Sequence, residues 1–288
     1  MPPQRQAPTV RLRRLASELR EFRARANLTR EEVAEATGLN IATLYRLETG
    51  KAKPQIRTLR SLLETYGASA QQQEQLLTLL KDAGERSWLQ PLSGIPDQYA
   101  TYIQFEKETR RLLNYESLFI PGLLQTEDYA RAVIKGAEPT ASRDDVENRV
   151  TARMERQALL EGKQPLHLWA IVDEAALRRR VGGQPTMRAQ LRKLQEAMDA
   201  PNITLQVIPF QAGAHPGMPG SFVIMQFEEG NPDVIYIENI AADLFLENAT
   251  DISRYSLVFE HLRAIAASPE STRAIVAAAL TNATEGGG

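Results

Sequence analysis

The 288-residue sequence has no cysteine, which excludes a disulfide scaffold, a thiolate zinc site and a cysteine nucleophile. Histidine is scarce: His167, His215 and His261 are the three present, none at metal-ligand spacing from another, so neither a metal nor a cofactor is expected. No apolar run approaches the roughly eighteen residues of a membrane-spanning helix. The stretch up to Pro8 also lacks the apolar centre of a signal peptide. A soluble, cytoplasmic protein without a membrane partner is the expectation. Catalytic signatures are missing as well, with no Gly-x-Ser-x-Gly, His-Glu-x-x-His, P-loop or dinucleotide glycine pattern. The adjacent Asp173 and Glu174 read as a helix cap. His215, with Ser221 nearby, falls in a glycine- and proline-rich stretch that reads as a shaped turn or a binding lip. The expected class is a binding protein and not an enzyme.

What the sequence does have is an uneven spread of charge. Residues 1–90 hold 15 Lys and Arg against 10 Asp and Glu, a net +5, while residues 91–288 hold 19 against 26, a net −7. A basic part joined to an acidic one suits a protein that meets phosphate through one end. The length and the 43% hydrophobic content are enough for two cores. Between Ser87 and Pro96, the residues Trp88, Pro91, Gly94 and Pro96 break helical periodicity. The domains are therefore read as 10–86 and 97–281, with fraying up to Pro8 and from Thr281 to Gly288.

The most informative stretch is Thr29 to Pro54. Thr29 and Glu32 form a capping box that starts a helix near Arg30, and Gly38 ends it where a left-handed backbone is cheapest. Asn40 caps the next helix, on which Leu44 and Leu47 share one face. Gly50 stops that helix, and Pro54 opens another whose inner face carries Ile56, Leu59, Leu62 and Leu63. Ahead of these lies a helix from Val10 to Ala26, with a stripe of Leu12, Leu15, Leu19 and Phe22 and an Arg-rich opposite face that includes Arg11, Arg13, Arg14, Arg20 and Arg25. A Leu-rich fifth helix spans about Gln71 to Ala83. Two short helices joined by a tight turn, the second with a small, polar amino-terminal edge, have the shape that places a helix end against base edges in a major groove.

Leu47, Glu48, Thr49, Gly50, Lys51 and Pro54 resemble the Xre/Cro-type, phage-repressor-like helix-turn-helix family, whose second helix ends in Leu-Glu-x-Gly-Lys followed by proline. The resemblance implies an all-α five-helix λ-repressor-like DNA-binding domain. It puts Ile41, Ala42, Tyr45 and Arg46 at base-facing positions, and Arg30, Asn40, Thr43, Lys51 and Lys53 where the family touches phosphates. It also makes Arg23 and Glu48 an internal ion pair bracing the recognition helix. Ile41 and Ala42 depart from the Gln or Ser of many relatives; they cannot make bidentate hydrogen bonds but can touch thymine methyl groups.

Past the junction, helices are expected over Asp97 to Asn114, Thr126 to Lys135 and Ser142 to Glu161, with a turn at Ile120-Pro121-Gly122 in which Gly122 takes an unusual backbone conformation. Strands are expected around Leu166 to Val172, Ile203 to Pro209, Ser221 to Phe227, Val234 to Glu238 and Asp243 to Leu246. Helices near Thr186 to Ala200, Thr250 to Ala267 and Pro269 to Leu280 enclose them. This is an α+β domain with a small, mostly antiparallel sheet and flanking helices. Arg178, Arg179 and Arg180 read as a solvated helix edge, and Val146, Val150, Met154 and Ala158 as core or a subunit seam.

Several runs in this half, among them Pro121 to Thr126 with Tyr129 and Arg131, Arg153 to Gln157, Asp173 to Leu177, Gly213 to His215 and Ser268 to Ser271, look like the carboxyl-terminal domain of actinobacterial WhiJ-type regulators, also described as antitoxin-like. That resemblance implies a transcriptional regulator of double-stranded DNA, nucleoid-associated when bound, whose second domain senses a small partner protein encoded by a neighbouring gene, or a ligand. A homodimer is expected, joined through that domain or through the helix bearing Leu76, Leu77, Leu79 and Leu80, since one half-site supplies too little discrimination. The alternative is an antitoxin-like module that sequesters a small partner, with DNA binding secondary.

Overall fold

Leu15, Leu19 and Phe22 recur on one face of the first helix, α1 (Val10–Arg25), and their burial starts the amino-terminal core. The computed structural model describes residues 10–82, 97–228, 231–239 and 243–285. It divides into two compact units, one on either side of residues 83–96. The expected junction from Ser87 to Pro96, the stretch up to Pro8 and the final glycines lie outside the described residues. The expected fraying from Thr281 does not begin there, because the last helix runs on to Glu285.

In the first unit α1 is followed by α2 (Arg30–Thr37), α3 (Ile41–Glu48), α4 (Ile56–Thr65) and α5 (Ala70–Asp82). Leu15, Leu19, Val33, Leu44, Leu59 and Leu62 close on one another as a single core. Two expectations need correction. Arg13, assigned to the solvated face of α1, is buried. Ile56 is 48% exposed, because α4 begins at Ile56 after Gln55 as N-cap, which leaves its first turn outside the stripe of Leu59, Leu62 and Leu63. Leu76 and Leu80 of α5, offered by the sequence as one of two dimer seams, are buried in this unit's own core with Leu77 packed beside them.

The second unit is a six-stranded sheet wrapped by helices. Its elements are α6 (Asp97–Glu108), β1 (Arg111–Glu116), α7 (Glu127–Ala137), α8 (Arg143–Arg156), β2 (His167–Asp173), α9 (Glu174–Arg178), α10 (Gln184–Ala197), β3 (Ile203–Ile208), β4 (Phe222–Gln226), β5 (Val234–Ile237), β6 (Leu244–Leu246), α11 (Ala249–Ile265) and α12 (Pro269–Glu285). The strand order is β3-β2-β1-β4-β5-β6. Three of the five pairings are antiparallel and make up the β1-β4-β5-β6 side; β1, β2 and β3 run parallel. This unit is thus the expected α+β fold.

The central strand was not expected. Residues 111–114 read as the end of a helix, yet the helix stops at Glu108 and Arg111–Glu116 pairs with both β2 and β4. Leu113 and Tyr115 face the cluster of Ile171, Phe222, Ile224 and Phe259. Leu112, Asn114 and Glu116 face the other way, and burial on both sides hides the alternation that marks a half-exposed strand. Two smaller differences follow the same pattern. The helix expected to reach Glu161 ends at Arg156 and tightens into a 3₁₀ turn over Gln157–Leu160. Gly122 opens another such turn, Gly122–Leu124, without the unusual backbone expected of it. Val146 and Val150 pack with Ile134 as a small satellite core, while Ala158 is exposed.

The outer edge of β3 is closed from within the chain. Val207 N–H donates to Thr272 Oγ1 at 3.1 Å, and Val207 C=O accepts from Ala267 N–H at 2.8 Å. At the other end of the electrostatic scale, Glu116 is buried at the end of β1. Its Oε1 accepts from Asn114 Nδ2 at 3.2 Å and its Oε2 has no hydrogen-bond partner. Burial pushes this carboxyl up from an ordinary 4.5 to about 7; the nearby Ser221 hydroxyl and the Asn114 amide oppose the rise, and Glu238 adds to it. The folded state therefore holds a proton that the unfolded chain has released, so stability is present below the unfolded value and falls as pH climbs toward 7. Glu116→Gln is expected to remove that slope and to leave the second unit more stable than the parent at pH 8 by on the order of 3 kcal/mol. Urea unfolding at pH 5 and pH 8 measures it, and parallel curves for parent and variant would refute the assignment.

Candidate nucleic-acid interface

The turn between α2 and α3 is set by local capping. Thr29 Oγ1 accepts from Glu32 N–H at 3.2 Å, and Glu32 Oε2 accepts from Thr29 N–H at 2.8 Å. Gly38 at φ 68° ends α2 in the left-handed region. Asn40 then caps α3, its Oδ1 accepting from Ala42 N–H at 2.8 Å. These bonds are local, two or three residues in span, and aim the start of α3.

Long-range contacts fix which way α3 faces. Leu44 and Leu47 enter the core, and the opposite face turns Ile41, Ala42, Tyr45 and Arg46 outward, with Ile41 46% and Tyr45 45% exposed. Lys51 and Lys53 follow on the exposed connection to α4, and Thr43 is half-buried, its Oγ1 accepting from Arg46 Nη2 at 3.4 Å. Every residue that the sequence marks as base-facing or phosphate-facing thus falls on α3 or its flanks, except Arg30 at the start of α2.

Glu48 is fully buried near the carboxyl end of α3, where the helix dipole disfavours a negative charge. Two arginines offset this. Arg23 donates from Nε to Glu48 Oε1 at 2.6 Å and from Nη1 to the Leu28 carbonyl at 2.9 Å, tying α1 to both the connection and α3. Arg30 Nε donates to Glu48 Oε2 at 2.7 Å. The hydrogen bond to Glu48 is the chief reason the Arg23 guanidinium binds its proton more tightly than usual. Arg30, marked by the sequence only as a phosphate contact, is therefore also a second brace. Its guanidinium lies 5.4 Å from the centre of the Tyr45 ring, and Lys51 Nζ lies 5.4 Å from the same ring. Tyr66, whose hydroxyl is buried without a partner behind this network, carries no sequence signal that would have singled it out.

The candidates in the second unit have other duties. Asp173 caps α9, its Oδ1 accepting from Ala175 N–H at 2.8 Å, and its Oδ2 lies 3.4 Å from His215 Nε2. Glu174 accepts from Phe210 N–H at 3.0 Å and pairs with Arg178. Ser221 Oγ accepts from Ser117 N–H at 3.0 Å, whereas His215 Nδ1 accepts from Gly217 N–H at 3.3 Å; no hydrogen bond joins Ser221 to His215. Among the described residues, no group of three or more His, Asp or Glu is placed to hold a metal ion, and no helix is long and apolar enough to cross a membrane.

Comparison with known families agrees with this division. The family model described as a helix-turn-helix domain matches residues 14–76, which span α1 to α4 and enter α5. A second model, described as a domain of unknown function (DUF5753), matches residues 99–278, well over half of the chain. The chain belongs to the DUF5753 family. In this member the DUF5753 segment begins within α6 and takes in the whole sheet and most of α12. The segment ahead of it is a helix-turn-helix domain, a DNA-binding fold. Neither a curated protein nor a solved structure matches the chain at a significant level.

Proposed function

We propose that this DUF5753 protein is a sequence-specific transcriptional regulator of the Xre/Cro kind, that it binds DNA as a homodimer, and that its second unit, akin to that of WhiJ-type regulators, senses a small partner protein or ligand. The observation that carries the reading is the split of α3 into an inward face of Leu44 and Leu47 and an outward face of Ile41, Ala42, Tyr45 and Arg46. Arg46 and Tyr45 read base edges with Ile41 and Ala42, while Lys51, Lys53, Asn40, Thr43 and the outer edge of Arg30 hold phosphates. Two copies set their recognition helices about one turn of DNA apart. The protein works in the cytoplasm, on the nucleoid, as a non-enzymatic binding protein.

The sensing role draws support from three uncovered apolar side chains. Leu118, Phe210 and Met218 are exposed, and they follow β1, follow β3 and precede β4, so all three stand at the end of the sheet where the parallel strands finish. The same three side chains support the rival reading, a partner trap whose DNA contact is secondary. A gel shift on the DNA upstream of the gene, with and without the small protein encoded beside it, separates the two. DNA binding that changes with the partner is the expected result; DNA binding that is absent, or indifferent to the partner, favours the trap.

In the same assay Arg46→Ala is expected to relax discrimination at one base pair by about 1 to 3 kcal/mol. Lys51→Ala is expected to weaken all sequences alike and to lower the salt slope by about one. An unchanged ranking of operator variants with Arg46→Ala would remove Arg46 from the reading face.

A further inference from the structure

The outward face of α3 is poor in hydrogen-bonding groups. Ile41 and Ala42 offer none, and the Arg46 guanidinium and the Tyr45 hydroxyl are the long polar groups on it. Beside Ile41 lies an open depression between α2 and α3, whose apolar lining is Ala34, Leu39, Ile41, Ala42 and the Tyr45 ring and whose polar lining is Arg30, Glu31 and Asn40. An isoleucine 46% exposed and a tyrosine 45% exposed, next to each other on one small domain, are not needed by its core, which is complete without them. The depression is also held open. The Arg30 and Lys51 cations each lie 5.4 Å from the centre of the Tyr45 ring, and Arg30 is anchored to the buried Glu48, which steadies the ring before anything binds.

In the major groove the one apolar substituent that projects from the base edges is the C5-methyl of thymine, set among hydrogen-bond donors and acceptors. Four cations on the exposed surface of α2, α3 and the connection after it, Arg30, Arg46, Lys51 and Lys53, outnumber the one carboxylate in the lining, Glu31, and complement a phosphate backbone. We propose that α3 reads thymine C5-methyl groups, with Ile41 as the residue that determines this part of its specificity and the Tyr45 ring as the second wall. Ile41 is the first residue of α3, and the amino-terminal residues of a recognition helix are those that reach base edges. This deepens the DNA-binding reading above and rests on it.

The test uses the full chain and a random-sequence duplex pool, from which bound sequences are selected and then rebuilt with uracil replacing thymine one position at a time. At one or two thymines per half-site, loss of the methyl is expected to weaken binding about four-fold, the value of one buried methyl group. Ile41→Ala is expected to shrink that difference to under about two-fold. Because Ile41 lies outside the core, the variant keeps its fold. Uracil tolerated at every position, or the same losses in Ile41→Ala, overturns the proposal and leaves DNA recognition standing. A selection that returns no sequence preference overturns both.

Discussion

Arg156→Met is expected to destabilise the second unit by about 3 to 5 kcal/mol, the cost of leaving a buried charge unpaired. Arg156 comes from α8 and Glu106 from α6, and both side chains are removed from water. Arg156 donates from Nε to Glu106 Oε2 at 2.6 Å and from Nη2 to Oε1 at 2.7 Å, a two-pronged pair, and it also donates to the Tyr99 hydroxyl. Its guanidinium lies 4.9 Å from the centre of the Tyr102 ring, whose hydroxyl donates to Glu106 Oε1 at 2.9 Å. Burial works against the charged arginine, but Glu106 and the two tyrosines outweigh it and hold its proton more tightly than usual. Removing the arginine strands Glu106 with one hydroxyl partner. Replacing both residues, as Glu106→Leu with Arg156→Met, takes both charges away and is expected to recover most of the loss. Calorimetric melting of the two variants measures this, and a single variant as stable as the parent would show that the pair contributes little.

Glu48→Gln is the second large effect, and it falls on the first unit. The carboxylate accepts from both Arg23 and Arg30, and bonds to a charged group contribute about 1.5 to 3 kcal/mol each. The arginine side chains keep contact with water, at 19% and 34% exposure, so they are not stranded when the charge goes. The net loss is expected near 2 to 4 kcal/mol. Amide hydrogen exchange over α1 to α4 should speed up accordingly, while exchange in the sheet stays as it was. DNA affinity should fall for every sequence alike, since Glu48 reads no base. Arg23→Lys should reproduce part of the defect, because a lysine reaches the carboxylate with a point charge and cannot hold the Leu28 carbonyl at the same time. Unchanged exchange in α3 would mean that the brace is dispensable.

The two sites differ in how far they could be read in advance. Thr29, Glu32, Gly38 and Asn40 act on atoms two or three residues away, so helix starts and stops in the first unit follow from neighbouring side chains. The inward and outward faces of α3 follow from helical periodicity alone. Arg30 shows where this ends: its bond to Glu48 spans eighteen positions and depends on the crossing of two helices, which no local pattern encodes. Ile56 makes the same point from the other side, since an apolar residue in the right phase still misses the core when the helix starts too late to carry it inward.

The second unit was legible by class and less so by layout. Strands β2 to β6 show themselves through β-branched and alternating residues, whereas β1 carries Asn114 and Glu116, which are tolerable in the middle of a sheet only because Ser221 and the surrounding strands are there to meet them. Sequence alone determined the helices of the first unit, the outward residues of α3 and the α+β character of the rest, because each depends on a run of side chains within a few positions. Tertiary structure alone decided that β1 lies at the centre, that β1 to β3 run parallel, that Arg30 braces Glu48 and that Glu116 is buried with one oxygen unpaired. Those outcomes depend on which distant segments meet, and the free energy of burial and pairing is settled only when they do.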